Sequence, residues 1–328
     1  MQLKGGPRLL ATDREGALYL ERARIHVEGD RIVYHITDDE HRREYNIPHV
    51  NLAVLFIGQG TSISQSAMRL LGEERVHLAV TGSGGTPLHM GALTTYTSTR
   101  HFREMLPIYL DPRKSLNAAK AVMRERTSRM KRIGGFGCQK WLRVRDTTNL
   151  GKICTRFETS LKECRDITQL LGFEGSFSKS CYAEFSKMSG LSESHTFRRA
   201  SRSGDAKIGQ VDPIRQVNRL IDHGNYLCYG MAGAALWALG IPPHMSVFHG
   251  KTRAGGLVFD LADSFKDALV LPIAFSLARE KDVKEAEKAF RGRLINAFDD
   301  KQILKEAIGT VERMIKAASP SSVGSCDA

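Results

Sequence analysis

A histidine, two aspartates and a glutamate are the residues of this chain best suited to hold a divalent cation. His249 closes the apolar segment Ser246-Val247-Phe248 and is followed by Gly250 and the basic Lys251 and Arg253. Asp260 lies eleven residues later and Asp263 three further on, a spacing that sets both carboxylates on one face of a helix. An imidazole on the adjoining loop together with two carboxylates suits a divalent ion, and a third carboxylate completes a site of mainly oxygen donors that favours manganese or magnesium. Glu174, in Leu170-Leu171-Gly172-Phe173-Glu174-Gly175-Ser176-Phe177-Ser178-Lys179 just before an expected helix, is the candidate for that place. Each of the four also has an ordinary structural reading. Asp260 can be a helix N-cap, Asp263 and Glu174 first-turn acids favoured by the helix dipole, and His249 a hydrogen-bonded loop residue.

Other motifs lead elsewhere. Asp222-His223-Gly224-Asn225 precedes an apolar helix running to Leu239, with Asn225 as its expected N-cap, and the Asp-His order reverses the pair that marks the HD phosphohydrolases. Gly58-Gln59-Gly60-Thr61 and the glycine-rich Gly82 to Pro87 lack the Gly-Lys-Ser/Thr of a phosphate loop and read as tight turns. The six cysteines, Cys138, Cys154, Cys164, Cys181, Cys228 and Cys326, form no Cys-x-x-Cys pair, so they suggest reduced thiols and not a structural zinc or redox site.

The elements that must position these groups fall into two classes. Residues 1–99 read as β-rich. Ala17 to Val27 is a strand, Glu28-Gly29-Asp30 a turn and Arg31 to Ile36 a second strand, giving a hairpin. Asn51 to Ile57 is a continuous apolar strand, Ile63 to Leu71 a helix capped by Thr61 or Ser62, and Val76 to Val80 a further strand. Residues 100–320 read as helical, most clearly over Leu116 to Ile133, Leu261 to Glu280, Val283 to Phe298 and Lys301 to Ala318. Ser192 to Gln210 reads as a mobile loop and 321–328 as a disordered tail. The expected class is therefore α+β, an N-terminal β-rich domain followed by a larger all-α domain that carries the site.

Composition narrows the partners. A hydrophobic fraction of 41% and a charged fraction of 26% exclude wholesale disorder and a fibrous chain. No charged-then-apolar leader is visible at the N-terminus, and the apolar stretch Ala268 to Ala278 is about half the roughly 20 residues of a membrane span. A cytoplasmic location without a membrane anchor is expected. The net charge is +12, and 17 basic against 6 acidic residues between Arg100 and Arg165 account for nearly all of it. Such an excess suits a polyanion, most commonly nucleic acid. Arg126, Arg129 and Arg132 surround a sparse apolar stripe in that stretch, and a second basic run includes Arg198 and Arg199.

Together these segments resemble the CRISPR-associated integrase of spacer acquisition, the Cas-one family, in its type I-F branch. The resemblance runs through Asn46-Ile47-Pro48, Gly58-Gln59-Gly60-Thr61-Ser62-Ile63, Ala67-Met68-Arg69, Gly84-Gly85-Thr86-Pro87-Leu88 and Asp222-His223-Gly224-Asn225-Tyr226-Leu227. Its most specific runs are His249-Gly250-Lys251-Thr252-Arg253 and Gly255-Gly256-Leu257-Val258-Phe259-Asp260-Leu261-Ala262-Asp263. The resemblance implies that Glu174, His249 and Asp263 hold a magnesium or manganese ion, with Asp260 beside them as a catalytic group, Glu184 a weaker rival to Glu174, and Asn218 a structural asparagine near the site. It implies a homodimer paired through the β domains, DNA as substrate, and a companion adaptation protein (Cas-two) that in this branch is fused to the interference helicase-nuclease. The expected activity is a metal-dependent DNA endonuclease and integrase that joins 3′-hydroxyl ends of foreign fragments into the repeat array. Arg126, Arg129, Arg132, Arg198, Arg199, Lys251 and Arg253 are then expected to meet DNA. The alternative is a non-catalytic nucleic-acid-binding subunit of the same complex.

Overall fold

The computed structural model of the chain describes residues 16–36, 44–81, 88–90, 98–191, 197–199, 212–250 and 255–319. Its strands are β1 (Gly16–Leu20), β2 (Ala23–Glu28), β3 (Arg31–Ile36), β4 (Glu44–Asn46), β5 (Leu52–Ile57), β6 (Ser62–Ile63), β7 (His77–Val80) and β8 (Leu88–Met90). They form two four-stranded sheets, ordered β1-β5-β7-β8 and β4-β3-β2-β6. The expected hairpin is present, with Ala23 opposite Ile36 and Glu28 opposite Arg31, and Gly29 at φ 59° supplies the left-handed turn residue.

The single strand expected over Ala17 to Val27 is two strands in different sheets. The chain changes sheets at Arg22, which sits at φ 50° and donates its backbone N–H to Gln59 O at 2.9 Å, while Gly58 N–H donates to Leu20 O at 2.7 Å. Backbone bonds to the Gly58–Gly60 turn, and not the strand's own apolar pattern, decide the break.

The helices are α1 (Gln65–Glu73), α2 (Arg100–Leu110), α3 (Pro112–Arg129), α4 (Gly135–Gly137), α5 (Thr148–Glu163), α6 (Ile167–Met188), α7 (Pro213–Ala238), α8 (Gly256–Asp263), α9 (Lys266–Ser276), α10 (Val283–Asp300) and α11 (Ile303–Ala318). Two π-helical segments, π1 (Met130–Gly134) and π2 (Cys138–Leu142), flank the single turn α4 and extend the run that begins with α3. The strand-rich N-terminal part and the larger helical body give the α+β class that the sequence predicts.

Three helix boundaries differ from expectation. The cap of α1 is Ser64, whose Oγ accepts from Ala67 N–H at 3.2 Å, in place of Thr61 or Ser62. The helix expected over Leu261 to Glu280 is broken between Asp263 and Lys266, where Phe265 leaves helical geometry at φ −139°. Asn225 is not an N-cap, because α7 already begins at Pro213, capped by Asp212 accepting from Ile214 N–H at 2.9 Å. Gly224 lies inside α7, and its lack of a side chain serves packing: a Cβ there would meet Phe290 Cζ at 2.7 Å and Val270 at 2.8 Å.

The two parts of the chain share a core. β5 is buried on both faces, with Val54 and Phe56 joining the helical core and Leu52, Leu55 and Ile57 facing the second sheet. Phe56 lies over Gly230 of α7, where a Cβ would come within 2.4 Å of its ring, and its centroid is 6.4 Å from that of Phe298. Among the described residues, no helix is long and apolar enough to cross a membrane. Cys138, Cys154, Cys164, Cys181 and Cys228 are buried free thiols, and burial pushes Cys138 and Cys154 up to about 12. Cys326, the Gly82 to Pro87 turn, most of the Ser192 to Gln210 segment and the 321–328 tail lie outside the described residues.

Candidate active site

The site is assembled around the carboxylate of Asp260. Asp260 is 1% exposed and is the fifth residue of α8, whose N-cap is Gly255, so the N-cap reading does not hold. Its Oδ2 accepts from Ser246 Oγ at 2.7 Å, Val247 N–H at 2.8 Å and Phe248 N–H at 3.0 Å. Its Oδ1 accepts from His249 N–H at 3.0 Å and lies 2.7 Å from His249 Nδ1. One buried carboxylate therefore folds the whole 246–249 turn against α8. The glycines permit it: Gly255 takes φ 72° at the helix start, and a Cβ on Gly256 would lie 2.7 Å from Ser246 Cβ.

This contact orients the imidazole. With Nδ1 hydrogen-bonded to a carboxylate, the neutral ring carries its lone pair on Nε2. Nε2 faces Asp263 Oδ2 across 3.9 Å, with Asp263 2% exposed one turn along α8 from Asp260. Asp263 Oδ1 meets the Lys266 ammonium at the start of α9 without accepting a properly directed hydrogen bond. Burial opposes the charge on Lys266, but Asp263, Tyr229 and Asp267 together outweigh it and raise the ammonium above its ordinary value.

Glu174 comes to the same region from α6. Asp166 caps that helix, its Oδ1 accepting from Gln169 N–H at 2.8 Å, so Glu174 stands mid-helix and not at an N-terminus. Glu174 Oε1 accepts from Arg126 Nη1 and from Ser178 Oγ, each at 2.7 Å. Burial pushes against its ionisation, yet the Arg126 guanidinium and the Ser178 hydroxyl hold its carboxyl at about 2. Arg126 also donates through Nε to Asp267 Oδ2 at 3.0 Å, and a second contact joins its Nη2 to the same oxygen. The charges of Asp263 and Lys266 act on Arg126 and Glu174 respectively, which ties the α6 and α8–α9 halves into one electrostatic unit.

Several expected residues are placed differently. Arg126 and Arg129 do not face solvent: they are 2% and 1% exposed. Arg129 donates to Ser264 O at 3.2 Å, Glu306 Oε2 at 2.9 Å and Thr310 Oγ1 at 2.7 Å, joining α3 to α11. Burial of their guanidinium groups in ion pairs removes both from any DNA-facing surface. Arg132 is exposed and paired with Glu306 at 3.0 Å. Arg198 is exposed, whereas Arg199 is half-buried, donating to Asn218 Oδ1 at 2.9 Å and pairing with Asp222. Asn218 is 1% exposed and donates to the carbonyls of Arg198 and Ile214 at 3.0 Å, a structural role. Glu184 is buried and paired with Asn149. Lys251 and Arg253 lie outside the described residues.

The residues missed are Lys266, Asp267, Ser178 and Ser246. The signal for the first two was present, since Lys266 and Asp267 are charges in the otherwise apolar run that continues through Phe275. Among the described residues, the group of three possible ligands drawn within 4.8 Å of one another is a different one, His26, Glu28 and Glu44. It lies on the β4-β3-β2-β6 sheet, apart from the helices that carry Asp263. The donor chemistry around Asp263 nonetheless suits a divalent ion. It offers an oriented imidazole nitrogen, ionised Glu174, and a buried Asp263 oxygen lacking a directed hydrogen bond.

The family model for CRISPR associated protein Cas1 matches residues 18–312. A CRISPR-associated endonuclease Cas1 from Pectobacterium atrosepticum is 33% identical, over 93% of this chain and 93% of its own. One from Pseudomonas aeruginosa is 33% identical, over 96% of this chain and 97% of its own. A crystal structure of a TtCas1–DNA complex superposes with a TM-score of 0.68 at 24% identity, covering 92% of each chain, and that likeness speaks to the fold.

Proposed function

The chain belongs to the Cas1 family of CRISPR-associated proteins, and from that premise we propose that it is a DNA endonuclease and integrase of CRISPR adaptation, dependent on magnesium or manganese. In the joining reaction, the 3′-hydroxyl oxygen of a foreign fragment attacks a repeat phosphorus and forms a new phosphodiester. The bond to the leaving 3′-oxygen breaks, and that oxygen departs as a hydroxyl. With water as nucleophile the same chemistry cuts the strand. Two relatives at 33% identity carry the name endonuclease, and the superposed TtCas1 is a DNA complex, which supports this reading.

The observation that carries the site is the orientation of His249, tied through Nδ1 to Asp260 with Nε2 toward Asp263. Glu174, His249 and Asp263 would hold the ion. When bound, it neutralises the phosphate and lowers the pKa of the attacking hydroxyl. Asp260 acts through His249 as a positioning residue, since its oxygens are engaged by Ser246 and three backbone N–H groups. Arg126 pairs with Glu174 and Asp267, and Lys266 with Asp263, so two cations stand among the three neighbouring carboxylates. The same reading includes the type I-F branch, a homodimer paired through the strand-rich region, the companion Cas2 protein fused to a helicase-nuclease, and a cytoplasmic location.

The test is strand joining by the purified chain with its companion, a 3′-hydroxyl fragment and a supercoiled repeat plasmid in manganese. Joining is expected to be lost in Asp263→Asn and His249→Ala proteins that retain the wild-type circular dichroism. Joining that persists unchanged in both would sink the site assignment.

A further inference from the structure

Opposite the carboxylate face of α9, a cleft of about 290 Å³ opens between the π1–α4–π2 run and the end of α10. Its walls include Phe136, Lys140 and Trp141 from the run and Arg293 and Lys301 from α10 and the residue after it, over a floor of Ala268, Leu269 and Ile273. The aromatic and cationic groups alternate. Lys301 Nζ lies 4.2 Å from the centroid of Phe136, and Lys140 Nζ lies 5.9 Å from Phe136 and 4.6 Å from Trp141. The Arg293 guanidinium is 4.7 Å from the other aromatic centre, Trp141.

Three features mark this cleft. First, it gathers cations that no acid holds, unlike their neighbours Lys131, held by Glu158, Arg132, by Glu306, and Arg126, by Glu174 and Asp267. Among the described residues, no carboxylate within ion-pair distance is found for Lys140, Arg293 or Lys301; Arg293 donates only to Ser276 Oγ, at 3.1 Å. Asp299 and Asp300 also line the cleft, but Asp299 Oδ1 accepts from Ala17 N–H at 3.2 Å. Second, Phe136 lines the cleft with its ring 47% exposed, so the ring is reachable from solvent. Third, the two π-helical segments among the described residues border the cleft, contributing Ile133 from π1 and Lys140 and Trp141 from π2, and such segments are frequent at functional sites.

We propose that this cleft holds an unpaired nucleotide of a single DNA strand, with its base stacked on Phe136 and Trp141 and its phosphate met by Lys140, Arg293 and Lys301. Among the described residues neither ring stacks on another aromatic ring; a base supplies that flat π-face, and the ammonium groups lying over the rings are on long stems that can reach a phosphate instead. The inference rests on the DNA-processing reading and adds to it a site for strand that is not base-paired. Stacking on aromatic rings is tolerant of sequence, so the cleft grips any unpaired base.

The test compares the full chain's affinity, in EDTA, for a short oligothymidylate and for a strand of the same length lacking its bases. The wild-type protein is expected to bind the base-bearing strand about tenfold more tightly and to show quenched Trp141 emission, a signal absent from Trp141→Phe. Phe136→Leu at the exposed ring should remove most of that preference while its thermal unfolding stays near wild type. Replacing Lys140, Arg293 and Lys301 with Gln should weaken binding of both strands and lower the salt slope. Equal wild-type affinity for the two strands, or a preference that survives in Phe136→Leu and Trp141→Leu, would overturn the proposal. Because no metal is present, the result is separable from catalysis. A protein inactive in strand joining that still prefers bases through these rings contradicts the catalytic reading alone, and an active one indifferent to the rings contradicts the cleft alone.

Discussion

Asp260 Oδ1 lies 2.7 Å from His249 Nδ1 and also accepts the backbone N–H of the same histidine, so one carboxylate fixes both the ring and the main chain of His249. Its other oxygen is bonded to Ser246 and two further backbone N–H groups. Every group that points at Asp260 from that turn is a donor, which decides what a substitution there does.

Asp260→Asn places an amide NH₂ among those donors and leaves at least one buried N–H without an acceptor. The variant is expected to lose about 1–3 kcal/mol of stability, read from the denaturant midpoint. Its affinity for manganese should fall by about 10–100-fold although Asp260 is not a ligand, because the imidazole loses its orientation. A variant with wild-type midpoint and metal affinity would remove Asp260 from the positioning role.

Glu174 gives a pH signature. Its carboxyl is held at about 2 against an ordinary value of 4.5, so the folded chain binds fewer protons here than the unfolded one. The associated stability, on the order of 3 kcal/mol, is complete above about pH 4.5 and is lost as pH falls toward about 2. Denaturation in EDTA across that window should show a steeper loss for wild type than for Glu174→Gln. Parallel curves would mean that the Arg126 contact does not hold the carboxylate.

The arginines of α3 separate by burial. Arg126→Met leaves Glu174 and Asp267 buried without their counter-charge, and should cost about 3–5 kcal/mol. Arg132→Ala, at an exposed pair with Glu306, should cost under about 1 kcal/mol. Equal effects of the two on thermal unfolding would contradict the buried placement of Arg126.

Gly230 reports on the junction of sheet and helices. A methyl group there would come within 2.4 Å of the Phe56 ring, between a central helix and a strand buried on both faces. Gly230→Ala is therefore expected to destabilise the chain by about 1–3 kcal/mol, and Phe56→Leu in the same chain to recover part of the loss. An increase in stability, as expected for alanine in an unobstructed helix, would show that the contact is absent.

How far the sequence could be read follows from the range of each interaction. The β2–β3 hairpin was legible because strand alternation and a Glu-Gly-Asp turn are local signals. The pairing of His249 with the aspartates was legible for a related reason, since eleven residues of chain bring them together. Glu174 was expected just before a helix, as a first-turn acid, but the cap that sets the helix is Asp166, eight residues earlier, and Glu174 stands mid-helix. The N-cap expected at Asn225 failed in the same way: α7 already starts at Pro213, and Gly224 is a helix-interior glycine packed beneath Phe290. The burial of Arg126 and Arg129 was not legible at all. Their partners Asp267 and Glu306 stand 141 and 177 residues away, and local periodicity sorts a charge to the solvent side unless its distant partner is known.

Pulsed electron paramagnetic resonance of the manganese-loaded chain bears most directly on the claim that Glu174, His249 and Asp263 hold the ion. The geometry predicts nitrogen modulation from one imidazole in wild type, retained in a His26→Ala protein and lost in His249→Ala. Manganese bound without nitrogen coupling, or coupling that is unchanged in His249→Ala, would contradict the account.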